Sequence, residues 1–179
     1  MRLGELYSVV AAALATNFNG ILGVSSFMRI KKTNAWITQT KSDANIKGNE
    51  LYAKFIKEES SAALCDDFVI LKAKFEANYY FSSAKDDLAQ FYKAIKFEPK
   101  MGEVDSVSNQ LILIANILKK EATKESMQLL AAFSLSFFLP YAEQLAKELE
   151  QNASSNFYKS MGYFLEDFCL VLKTIIGKA

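Results

Sequence analysis

Three carboxylates, Glu98, Glu103 and Asp105, fall close together and directly before the apolar run at residues 111–118, in the stretch FEPKMGEVDSVSNQLILIANIL at residues 97–118. Carboxylates at the lip of a segment that must be buried suit the capture of a cation carried on an apolar chain. A guanidinium donates charge-assisted hydrogen bonds to the acids while its apolar neighbours enter the cleft. Catalysis is poorly served by the same inventory. The chain has no His, which removes the common proton shuttle at neutral pH, the Ser-His-Asp and Cys-His nucleophile pairs, and most zinc or di-iron ligand sets. It also lacks a Gly-rich phosphate loop, a GxSxG turn and an ExxH pair. The expectation is binding without chemistry: no enzyme and no cofactor. Asp105 has a second use, because Asp105 or Ser106 can serve as N-cap of the helix that follows, a role worth about 1 kcal/mol without any ligand.

These residues must be held by helices. The 179-residue chain is 51% apolar, with charges that nearly cancel and only seven Gly and two Pro. That composition fits one compact all-α domain over residues 1–179 with seven to nine helices, and it argues against disorder. Net charge of +1 with scattered Lys and Arg gives no footprint for nucleic acid. Cys65 and Cys169 lie far apart with no CxxC spacing, which reads as two buried thiols in a reducing, cytoplasmic compartment. The start, MRLGELYSVVAAALA, is apolar enough to mimic a signal peptide. Glu5 interrupts it, however, and Leu3, Leu6, Val10 and Leu14 recur at helical spacing, so it reads as a first amphipathic helix. The longest other apolar stretch, LLAAFSLSFFLPYA, holds a Pro and is short of the roughly twenty residues needed to span a bilayer, so no stable membrane insertion is expected.

Periodicity is clearest near the C-terminus. Phe157, Met161, Phe164, Phe168, Leu172 and Ile175 mark one face of a long helix beginning near NASSN. Met127, Leu130, Phe133, Phe137, Leu145 and Leu149 mark another, with Glu143 and Lys147 expected to pair on its wet face and Pro140 expected to bend or break it. SSAKDDLAQFYKAIKF reads as a helix with Ser83 and Asp86 in a capping box. NELYAKFIKEESSAAL and DDFVILKAKFEANYYF read as two more. Residues 17–48 suggest a short helix and a loop, and TKSDANIKGN and EPKMGEVD are the expected mobile segments.

Four segments taken in order resemble the TorD-like family of cytoplasmic chaperones for molybdenum oxidoreductases. LAQFYKAIKFEP is similar to the family's helix that closes on a Leu/Phe-Glu-Pro turn. EVDSVSNQLILIANIL resembles its Glu-Pro-x-Asp-His-Ile-x-x-Glu-Leu element, AFSLSFFLPYAEQL its His-Leu-x-x-Trp-x-Pro element, and SSNFYKSMGYFLEDFCLVL its closing Phe-Tyr helix. The chain departs from the pattern at several points. Asp105 is kept, but Ser106 stands for the His and Gln110 for the later Glu. Ser134 and Phe138 stand for the second His and the Trp, while Leu135 and Pro140 remain. A Pro- and Trp-rich loop carried by many members is replaced by SSAKDD.

The resemblance implies an all-helical chaperone that binds the twin-arginine leader of a molybdopterin-dependent oxidoreductase, or the apoenzyme itself, until the cofactor is in place and export can proceed. It implies a peptide-binding site built from Glu98, Glu103, Asp105, Ser106 and Gln110, with Tyr80, Phe138 and Pro140 on the apolar side of the groove. A monomer or a domain-swapped dimer fits. The alternative is a non-catalytic helical scaffold or assembly subunit that uses its apolar stripes for permanent association.

Overall fold

The aromatic stripe near the C-terminus forms the axis of the molecule. In a computed structural model, which describes residues 3–177 apart from Asn34, Phe157, Met161, Phe164, Phe168 and Leu172 form one buried face of helix α9 (Asn156–Ile176). The described residues are all-α, with two short 3-10 turns and no strand. α9 lies between α3 (Asp43–Glu58) and α8 (Leu139–Asn152), and α1 (Leu3–Phe18) packs along α6 (Val107–Lys119) to complete the core. α2 (Val24–Lys31), α4 (Ser61–Leu71) and α5 (Ala84–Ile95) surround it.

Burial of rings alone would leave the start of α9 with four unpaired amide groups. Two carboxylates from elsewhere in the chain supply their acceptors. Asp67 of α4, only 2% exposed, accepts from the Ser154 amide at 3.0 Å, the Ser155 amide at 2.8 Å and the Ser155 hydroxyl at 2.6 Å. Glu59 accepts from the amides of Asn156 and Phe157, and Ser155 caps the helix by accepting from the Tyr158 amide. Negative charge is stabilising at this end of a helix, where the backbone dipole is positive. Further along, buried Asp167 accepts from Thr40, Ser42 and Asn45. This fastens the start of α3 to the middle of α9.

These ties revise several sequence expectations. TKSDANIKGN is not a loop throughout: Ser42 accepts from the Asn45 amide as N-cap, and α3 runs from Asp43 through Gly48. Gly48 is inside the helix for packing reasons, since a Cβ there would lie 2.6 Å from the Phe164 ring. The same ring stacks on Trp36 at 4.5 Å with only 9° between planes and meets Tyr52 edge-on at 6.0 Å. NELYAKFIKEESSAAL is split at Glu59 and Ser60, because Ser60 caps α4. DDFVILKAKFEANYYF stays α-helical only to Leu71 and then tightens into 3-10 turns at Lys72–Phe75 and Ala77–Tyr79. Ser83 does precede α5, but its side chain makes no cap bond, and the helix ends at Lys96 in the left-handed conformation, φ 58°.

Pro140 does not break its helix. α7 (Lys124–Phe133), a π-helical turn (Ser134–Phe138) and α8 form one continuous rod from Lys124 to Asn152, so the described residues form eight helical rods. The wider turn, in which the Leu139 amide reaches back to the Ser134 carbonyl, absorbs the residue that cannot donate. This rod is long and apolar enough, by length and composition, to cross a membrane, yet half of its most apolar window is buried against the rest of the protein. Glu143 pairs with Lys173 of α9 rather than with Lys147. Both cysteines are free thiols, Cys169 buried and Cys65 half-buried.

Asp67→Ala leaves the Ser154 and Ser155 amides without their buried acceptor. It is expected to lower stability by about 2–4 kcal/mol, read as a shift of the urea midpoint at unchanged slope.

Candidate functional site

The acidic turn is positioned by the residues that follow it. Asn109 at the first turn of α6 accepts from the Lys100 and Met101 amides at 2.9 Å each and donates to the Glu103 carbonyl at 2.7 Å. Gly102 takes a positive φ of 69°, a conformation that favours glycine. Ser106, not Asp105, is the N-cap: its hydroxyl accepts from the Asn109 amide and donates to the Met101 carbonyl at 2.6 Å. EPKMGEVD is thus a loop tied to the helix it precedes, through bonds that Asn109 and Ser106 supply.

Asp105 points inward. It is 1% exposed; one carboxylate oxygen accepts from the Asn78 amide at 2.7 Å, and its backbone carbonyl accepts from the Ala77 amide and the Gln110 side chain. A single bridge pairs Glu76 with Ser106 alongside. Asp105 therefore fastens the 3-10 turns to α6. Its second carboxylate oxygen, the Gln110 side-chain carbonyl and the hydroxyls of Tyr80 and Tyr92 have no protein hydrogen-bond partner. Burial first, and then the Asp105 charge, push the Tyr92 phenol above its ordinary range; for Tyr141 burial is followed by Tyr80 and then Asp105.

The remaining acids divide. Glu103 lines a hollow of about 210 Å³ whose apolar lining is Phe18, Phe68, Phe75 and Met101, and whose polar lining includes Ser106, Glu76 and Lys72. Glu76 is held above its usual carboxylate range by burial, then by the charges of Asp105 and Glu103, with Lys85 and Lys72 opposing. Glu103 is lowered by its hydrogen bond and ion pair with Lys85 at 2.8 Å. Glu98 projects into solvent near Lys100, outside the hollow.

Of the apolar residues expected at the groove, only Pro140 lines a concavity. That second hollow, about 190 Å³, also includes Phe81, Leu88, Phe137 and Asp87. Phe138 is wholly buried, edge-on to Phe168 at 6.0 Å, and is core. Tyr80 is half-buried with its ring 5.5 Å from Tyr141, and Gln110 is buried completely. The eight expected residues thus do not form one groove: Glu103 and Ser106 share a hollow, Pro140 belongs to its neighbour, Glu98 stands apart, and the other four belong to the interior or its margin. Glu76 and Asp87 were missed. Glu76 could have been found as the single acid inside KFEANYYF.

A more apolar hollow, about 240 Å³, opens at the far end of the α1/α6 pair between Leu3, Ile117, Met127 and Ile175, away from the acidic turn. Among the described residues, no group of three or more Asp, Glu or Cys side chains is arranged to hold a metal ion. No family model, no curated protein and no solved structure matches the chain.

One further carboxylate is strongly perturbed. Glu150 faces a hollow between α8 and α9 with Glu143, Lys147, Glu166, Cys169 and Lys173. One of its oxygens is buried without a partner, and the helices are close here because Gly162 has no side chain to hold them apart. Burial, then the Glu166 charge, push the Glu150 carboxyl up to about 7, with Lys147 opposing. A folded-state value above the unfolded 4.5 means that the folded protein holds this proton more tightly, so its stability contribution is full below pH 4.5 and is lost as the pH rises through about 7. Discounted for its half-exposed position, the loss is on the order of 1 kcal/mol. Glu150→Gln is expected to be more stable than the parent above pH 7 and to flatten the stability profile between pH 4.5 and 7, measured by urea unfolding across that range.

Proposed function

We propose that this chain is a cytoplasmic maturation chaperone that binds the twin-arginine leader, or the apo form, of a molybdopterin-dependent oxidoreductase, and that it works by binding without chemistry. The observation that carries the reading is the aromatic hollow edged by Glu76 and Glu103. Glu76 is held above its ordinary range first by burial and then by the charges of Asp105 and Glu103, so a cation brought beside Glu76 and Glu103 relieves part of that cost. A guanidinium can reach both acids, while an apolar leader residue can meet Phe18, Phe68 and Phe75. Lys85 already neutralises part of Glu103 from the solvent side. An incoming arginine therefore has to compete with that exposed ion pair and with Lys72, an exposed cation lining the same hollow, and solvent screening makes both weak opponents.

A second reading, a helical assembly subunit, has its own observation. On α4, Val69 and Ile70 are each about two-thirds exposed, although that helix is apolar enough on all sides to favour cover. The two readings differ in what the purified protein does alone: a monomer that takes up leader peptide supports the chaperone, and an obligate complex with an extensive buried interface supports the subunit.

Titration of the purified chain with a twin-arginine leader peptide tests the first. Glu76→Gln combined with Glu103→Gln is expected to weaken binding about tenfold or more and to remove most of its salt dependence, whereas Glu98→Gln changes it less than about twofold. Asp105→Ala is a poor probe of binding, since it cuts the tie between the 3-10 turns and α6. Leader binding indifferent to salt and to the Glu76 and Glu103 substitutions would defeat the assignment.

A further inference from the structure

Between residues 6 and 42 the chain has four cations and no Asp or Glu, although its totals are 21 and 20. The centre of this stretch is α2, an eight-residue helix attached to the core chiefly by Phe27, which is buried edge-on against Phe55 at 6.1 Å. One cation is committed to that attachment: Lys31 donates to the Glu59 carbonyl at 2.6 Å and lies over the Phe27 and Phe55 rings. The helical period turns Ser25, Arg29 and Lys32 away from Phe27 and leaves Val24 and Met28 on the adjoining flank, and all five are exposed. Val24 is 71% exposed and Met28 51%, and Ile21, just before the helix, is 53% exposed. Among the described residues, Arg29 and Lys32 have no carboxylate partner.

We propose that α2 and the turn before it form a peripheral docking surface for an anionic lipid bilayer, with Ile21, Val24 and Met28 entering the boundary between headgroups and acyl chains and Arg29 and Lys32 meeting lipid phosphates. Apolar side chains flanked by unpaired cations on one helix face are the pattern that interfacial helices present to anionic lipid. The shape favours a bilayer over a protein. The apolar side chains protrude rather than line a hollow, no aromatic anchor is among them, and a helix about 12 Å long cannot provide the roughly 800 Å² per partner of a stable protein interface. The proposal does not depend on the chaperone reading.

Co-sedimentation of the full chain with vesicles tests it. Partition is expected onto phosphatidylcholine vesicles containing about one third phosphatidylglycerol, falling as salt is raised, and not onto phosphatidylcholine alone. Arg29→Gln and Lys32→Gln are each expected to lower partition about fivefold, and Met28→Ser about threefold or more. Urea midpoints should stay at the parent value, since these side chains point away from the core. Absence of partition onto the anionic vesicles, equal partition onto neutral ones, or indifference to all three substitutions overturns the proposal. So does retention on poly-glutamate without vesicle binding, which would assign the surface to an acidic polypeptide instead.

Discussion

The architecture depends on buried or half-buried carboxylates whose partners in the fold are amides and hydroxyls rather than cations. Asp67 and Glu59 terminate α9, and Asp167 binds the start of α3 to its middle. Each removes an anion from water, which is unfavourable unless several donors converge on it. Each is met by two or more. Fixing α9 in this way lets Phe164 close on Gly48 and Trp36, and lets Gly162 bring α8 to within contact of the backbone. The aromatic core is thus ordered by a few polar ties at its edges, and hydrophobic burial alone would not choose among the ways of stacking so many rings.

Asp105 repeats the device. It joins the 3-10 turns to α6 through an amide, as Asp67 joins α4 to α9. The acids of this chain therefore form two populations, those buried as fasteners and those left within reach of solvent. Glu76 and Glu103 belong to the second group, and Asp105 determines their setting: it fixes the turn that presents Glu76 and adds to the charge that Glu76 feels.

That division explains what could be read from the sequence. The stripe of α9 was legible because 3.6-residue periodicity is local and six large apolar residues repeat it. So were α1 and α6, whose apolar faces are equally regular. The start of α3 was not, because its signals are Ser42, Asn45 and Gly48, residues that also make loops; only Asp167, more than a hundred positions away, makes them a helix start. Whether Pro140 breaks its helix was not legible for a related reason, since that depends on whether the preceding turn can widen. At the site, Glu98, Glu103 and Asp105 look alike in sequence. Their fates differ by burial, which depends on Asn109 and on the distant turn at residues 75–79.

Overall charge conceals the most useful electrostatic feature. A net charge of +1 suggests a surface without preference, but the acids and bases are segregated. Asn19 lines the hollow edged by Glu76 and Glu103, and α2 begins five residues later with its exposed cations. Five residues of extended chain reach less than about 18 Å, so the start of α2 lies within that reach of the negative cleft, and Arg29 and Lys32 follow along the helix as a positive ridge. A cationic guest near this end of the molecule is drawn to one and turned from the other. The ridge therefore sharpens where such a guest can settle, even though the two fields cancel in the sum over the chain.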